Sequence, residues 1–115
     1  MRKITEECIR AFWDGWYFKK SNTTVDLKPM PHGLYEIKMY LFKNEIARKY
    51  NGYLVINSCG WYSNTTKERL NGILKRIGFA IKQHKGEWKI INLKTNDVSE
   101  FKDGMQFQLT ELHAN

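Results

Sequence analysis

The pair Asn51-Gly52 lies between two alternating runs and constrains this chain more than any other dipeptide. A two-residue type I′ turn needs positive φ at both central positions, and Asn-Gly reaches it at the lowest steric cost. The spacing therefore predicts a strand over 45–50 that returns as a strand over 53–58. Leu54 and Ile56 then share one face and Val55 takes the other. Upstream, Tyr35, Ile37, Met39 and Leu41 line one face of a strand over 34–42, with Glu36 and Lys38 opposite. Lys43-Asn44 is the expected turn between the first two strands. Together these make a three-stranded antiparallel meander with one apolar face, and that face needs a cover.

Residues 66–77 are expected to supply it. Thr65-Thr66-Lys67-Glu68 reads as a capping box, in which Thr65 accepts from the backbone near Glu68 and Glu68 reaches back. Leu70, Ile73, Leu74 and Ile77 follow at i, i+3, i+4 and i+7, the stripe of an amphipathic helix. Gly78 stands where a left-handed C-cap is expected. Gly72 falls on the outer face, at a cost of about 1 kcal/mol relative to Ala. Phe79–His84 and Glu87–Asn92 then form a hairpin around Lys85-Gly86.

The flanks carry further elements. Ile4 to Trp13 has helical spacing. Residues 16–18 and 23–27 read as strands about a turn at 20–22. Residues 28–33 and 94–104 read as loops, and Met105–Leu109 as a last strand. Ser-Asn-Thr-Thr occurs at 21–24 and 63–66, but no hydrophobic period accompanies it, so it is read as coincidence. The expected fold is α+β over residues 1–115 as a single domain. It combines a β-meander and a C-terminal hairpin with one amphipathic helix packed on the sheet, a β-β-β-α-β-β core.

Composition narrows the function classes. With 42% hydrophobic residues in 115, the chain has enough apolar surface to fold. No apolar run approaches a membrane span. The N-terminus lacks the apolar segment of a secretory signal, so a cytoplasmic location with reduced thiols is expected, and the sequons at Asn22 and Asn64 are read as chance. Cys8, Cys59, His32, His84 and His113 are too scattered for a metal site or a disulfide framework. There is no nucleophile elbow, no phosphate-cradling glycine loop and no carboxylate pair at a spacing that dictates acid/base work. The expectation is a protein without catalytic residues, metal or cofactor, not an enzyme. Nineteen Lys and Arg against twelve Asp and Glu leave a charge of +7, which favours polyanionic partners without specifying a sequence.

One stretch carries a resemblance. Cys59-Gly60-Trp61-Tyr62-Ser63-Asn64-Thr65-Thr66-Lys67-Glu68-Arg69-Leu70-Asn71 resembles a signature of small bacteriophage proteins, with Gly-Trp, a polar Thr-Thr, a basic residue and Arg-Leu-Asn. Leu41–Arg48 is similar to their leucine strand, Asn turn and Ile-Ala-Arg strand, and Gln83–Trp88 to their closing hairpin. The likeness covers roughly residues 34–92, leaving out the first thirty residues and the tail from 93. It implies a phage origin, hence a host cytoplasm, and a shared architecture. That family brings no established activity.

The candidate site residues follow from the charge. With Leu70 on the sheet, Arg69 and Arg76 fall on one helix flank, Lys67 on the other and Lys75 on the outer face. They read as phosphate contacts near a helix N-terminus, or more blandly as a solvated helix face. In the hairpin, Lys82 and Lys85 accompany His84, Lys89 and Trp88. Trp88 could stack on a base, but it alternates with Ile90 as a core residue does. Trp61, before the helix, either packs back as a staple, the commoner case, or stands out as a loop site. Arg48 either extends the basic surface or pairs with Glu45 or Glu36. The expected nucleic-acid surface is thus Arg48, Lys67, Arg69, Lys75, Arg76, Lys82, Lys85 and Trp61. The alternative is an effector that docks on a host protein such as a polymerase or a defence complex. The feature that discriminates it is the tail, where Val98, Phe101, Met105, Phe107 and Leu109 would form an exposed apolar patch if they do not join the core.

Overall fold

Asn51 and Gly52 both take positive φ, 51° and 80°, and Lys85 and Gly86 repeat the pattern at 51° and 81°. These two turns fix the hairpins around which a computed structural model of the chain, describing residues 2–109, is organised. In chain order the elements are α1 (Lys3–Asp14), β1 (Phe18–Lys20), β2 (Thr23–Pro29), β3 (Tyr35–Leu41), β4 (Asn44–Tyr50), β5 (Tyr53–Ile56), α2 (Asn64–Lys75), β6 (Phe79–His84), β7 (Glu87–Asn92), β8 (Val98–Glu100) and β9 (Met105–Gln108). A short 3₁₀ turn, Pro31–Gly33, links β2 to β3.

The strands form two antiparallel sheets. One has six strands in the order β1-β2-β3-β4-β5-β9, the other three in the order β6-β7-β8. The meander is β3-β4-β5, as the alternation predicts. Its first turn is shifted by one residue: Leu41 pairs with Asn44, so Phe42-Lys43 make the connection rather than Lys43-Asn44. A bulge opposite Met39 and Tyr40 absorbs one residue of β4. Ile46 and Ala47 are consequently both buried, which strict alternation forbids.

The fold class stands as α+β, with two corrections to the expected core. The covering layer has two helices rather than one. The hairpin is widened by β8, which lies in the expected loop and pairs with β7. α1 ends at Gly15, whose left-handed conformation lets its N–H and that of Trp16 both reach the Ala11 carbonyl, at 2.8 and 2.9 Å. Its buried face, with Cys8, Ile9, Phe12 and Trp13, joins Leu70, Ile73 and Leu74 of α2 over Val25, Met39, Leu54 and Ile56 of the sheet. Each large side chain so buried contributes about 1.5–3 kcal/mol. The same cluster takes in Ile81, Trp88 and Ile90 of the small sheet and Phe107 of β9.

α2 begins two residues earlier than the capping box implies. Ser63 is the N-cap, and its Oγ accepts from the Thr66 N–H at 3.1 Å. Glu68 does not reach back; it turns toward α1. Gly72 is buried rather than outward, because it lies on the flank of α2 that carries Arg69 and Arg76, and α1 packs there. Ser63→Ala should therefore cost about 1 kcal/mol in chemical denaturation, and Thr65→Ala only a few tenths. Equal losses in the two variants would contradict the assignment of the cap.

Candidate nucleic-acid interface

The eight residues expected to form one surface separate into several environments. Arg69 is the largest departure. It is buried, with a side-chain exposure of 1%, between α2, α1 and β2. Its Nε donates to Thr23 Oγ1 at 3.3 Å. Its Nη1 donates to Thr5 Oγ1 and, at 2.9 Å, to Glu68 Oε1. Thr5 Oγ1 donates in turn to Glu68 Oε1 at 2.9 Å, and Arg2 adds two further bonds at 2.9 and 2.7 Å. The expectation of a solvent-facing flank is corrected here: α1 occupies that flank, so Arg69 ties two helices to the sheet and has no access to a phosphate.

Glu68 is the acceptor for three residues in this group. Its carboxyl is held at about 2, below the ordinary 4.5, chiefly by the hydrogen bond from Arg2, then by Thr5 and the charges of Arg2 and Arg69, against the opposing effect of burial. A carboxyl lowered in the fold stabilises it fully above about pH 4.5, and that contribution is lost as pH falls toward 2. Glu68→Gln should lower stability at neutral pH and flatten the acid decline over this window in urea titrations. An acid limb identical to the parent's would contradict this role.

Arg48 lies on the outer face of the six-stranded sheet, where its neighbours are acidic. Glu36 is 3.6 Å away and Glu45 3.9 Å, while Lys38 approaches Glu45 at 2.9 Å. Such pairs add little stability, but they offset the charge of this face locally. Of the two readings of Arg48, pairing is the one observed. Arg76 is exposed at the end of α2, its guanidinium 5.4 Å from the Trp13 ring centroid. Nearby, burial and the charge of Arg76 lower the Lys49 ammonium to about 8, and Lys49 donates to the Trp13 carbonyl at 2.8 Å.

Four lysines lie on α2 and the β6–β7 hairpin. On α2, Lys67, Asn71 and Lys75 recur at four-residue spacing along the edge of β6. Asn71 closes this seam: its carboxamide accepts from the Ile81 N–H and donates to the Ile81 carbonyl at 3.2 Å. Lys67 Nζ donates to Gln83 Oε1 at 3.2 Å. Lys82 follows Ile81 on the opposite face of β6, and Lys85 stands at the hairpin tip, both exposed. Among the described residues, none of Lys67, Lys75, Lys82 and Lys85 has a carboxylate within 4 Å; Lys89 does, in Glu87 at 3.4 Å.

The aromatics divide as well. Trp88 is core, 5% exposed, and stacks edge-on with Tyr62 at 4.9 Å and Phe101 at 5.2 Å. Trp61 is 63% exposed, so the commoner expectation, packing, is corrected; Tyr62 makes the inward contact instead. Trp61 borders a cleft of about 430 Å³ whose floor is Leu41 and Ile46. Phe42 also lines it, 71% exposed, at φ 57°. This is the first position of its two-residue turn, where glycine is usual, and a bulky residue held there stores about 1–3 kcal/mol. Sequence reasoning overlooked Phe42. The signal was present, since it follows Leu41 and so breaks the alternation of apolar residues in β3.

Other groups contribute no chemistry of this kind. Burial pushes the Cys8 thiol up to about 11 and raises Cys59, which disfavours the reactive thiolate in both. Among the described residues no three His, Cys, Asp or Glu side chains converge as metal ligands. No helix among them is long and apolar enough to cross a membrane.

The sequence model of the Kyanoviridae Gp96 protein family matches residues 1–108, and the chain belongs to that phage family. The match extends over the first thirty residues and the tail, beyond the span the local signature had suggested. No curated protein and no solved structure matches the chain.

Proposed function

We propose that this phage protein is a binding protein, not an enzyme, and that it holds nucleic acid by its backbone phosphates. The observation that carries this reading is the segregation of charge. Acidic neighbours offset Arg48 and Lys38 on the sheet face, and the interior takes Arg69. Lys67, Lys75, Lys82 and Lys85 keep uncompensated ammonium groups along the α2–β6 seam and its hairpin. A row of point charges on flexible stems suits phosphates, which fix position and carry no sequence information. Arg76 flanks this row at the end of α2.

Docking on a host protein has less support. Its expected apolar patch does not form: Phe107 and Leu109 are buried, and Phe101 and Met105 pack against the core. Only Val98 of that set is exposed. The test is fluorescence anisotropy of labelled duplex and single-stranded DNA and RNA across a salt series. Binding that weakens steeply with salt is expected. No binding of any of the four at low salt would sink the reading, and the surplus charge would then serve solubility or protein docking.

A further inference from the structure

We propose that the cleft between Phe42 and Trp61 is a nucleobase site, which takes an unpaired base from a bound strand or from a free nucleotide. The inference deepens the nucleic-acid reading and rests on it. Three features of the cleft lead to this class of ligand. Its volume, about 430 Å³, lies within the range of small-molecule sites. Its rim carries two large exposed aromatic rings, and one of them is kept there by a backbone conformation that disfavours it. A strained residue that holds a side chain in solvent at the edge of a cleft points to a use for that side chain.

The polar groups complete the argument. None of the residues that line the cleft is charged, so a phosphate has no partner inside it. Asn44 makes no side-chain hydrogen bond among the described residues. The Asn22 Nδ2 is likewise unused, while its Oδ1 accepts from Thr23 at 2.8 Å. A carboxamide offers a donor and an acceptor side by side, the pattern that matches a base edge. An apolar floor, two ring faces and free carboxamides together fit a flat neutral heterocycle better than a lipid tail or an anion. Lys43 directly follows Phe42, and Lys67 directly follows Thr66 at the cleft wall. Neither lysine lines the cleft, so both leave its interior neutral. The cleft thus continues the lysine seam from the first turn of α2.

The experiment compares the parent with Trp61→Ala and Phe42→Gly. Glycine relieves the positive φ at position 42, so that variant keeps its fold while losing the ring. Each protein is titrated with labelled single-stranded and duplex oligonucleotides, and by calorimetry with adenosine monophosphate. Each ring variant should bind the single strand about tenfold more weakly, with duplex affinity and salt slope unchanged. If instead only the binding of adenosine monophosphate is lost in the variants, the site holds but its source is the free nucleotide. Parent-like binding of both probes by both variants overturns the nucleobase site and leaves the lysine seam standing. Failure of the parent to bind any oligonucleotide overturns the nucleic-acid reading, and failure to bind adenosine monophosphate as well overturns both together.

Discussion

Arg69→Ala should lower stability by about 3–5 kcal/mol, the largest loss expected of any single substitution in the α2 helix. The guanidinium is enclosed by Thr5 of α1, Thr23 of β2 and Glu68 of its own helix. Removing it leaves the Thr5 and Thr23 hydroxyl oxygens without their donor, takes one of three donors from Glu68, and opens a cavity where a long side chain lay. At this chain length, the melting temperature should fall by at least about 10 °C. Arg69→Lys should recover part of the loss, because one ammonium cannot reproduce the fork of donors that serves Thr5 and Thr23. Parent-like melting of Arg69→Ala would contradict the placement of this residue. The substitution also separates structure from binding. Under conditions where the variant is still folded, its affinity for nucleic acid should equal the parent's, since the side chain reaches no phosphate.

Much of the central architecture was legible because it is encoded locally. Asn51-Gly52 sets the register of β4 and β5, and the alternation from Tyr35 to Leu41 sets which face is apolar. The Leu70 to Ile77 stripe identifies the helix that covers that face. Other features depended on contacts between distant parts of the chain. A helix over the first residues was readable, but nothing local said that it would lie beside α2. Arg69 was therefore assigned to solvent, where it would belong if α1 were elsewhere. Glu68 was read as a capping residue because its spacing to Thr65 fits, yet Arg2 and Thr5 offer stronger partners from across the fold. β8 is too short and too exposed to show periodicity, and it exists as a strand only because β7 has a free edge.

The candidate surface followed the same division. Lys75 and Lys82 were placed on exposed faces by helical or strand period and Lys85 by the turn at Lys85-Gly86, and all three are exposed. The sequence leaves open whether Arg48 has an acidic neighbour. That choice depends on β3 placing Glu36 within reach, and on the bulge that sets Glu45 three residues away on the same face. The cleft at Phe42 and Trp61 joins residues from the β3–β4 turn, the β1–β2 turn and the segment before α2, so no single motif marks it.

The second large effect concerns the seam. Replacing Lys67, Lys75, Lys82 and Lys85 together by Ala should weaken nucleic-acid binding on the order of 100- to 1,000-fold near physiological salt. The fold should change little, because three of these side chains make no bond to the protein and Lys67 makes one exposed bond to Gln83. An equivalent replacement of Arg48 and Lys38, whose charges are already matched by Glu36 and Glu45, should have a much smaller effect on binding.

The most direct measurement is the salt dependence of duplex DNA binding by the parent and by this four-lysine variant, followed by anisotropy in parallel. Each phosphate contact contributes about 0.9 to the slope of log affinity against log salt. Four contacts along the α2–β6 seam predict that the variant's slope is shallower by roughly 3 to 4. Equal slopes in the two proteins, with binding intact, would contradict the seam as the phosphate-reading surface.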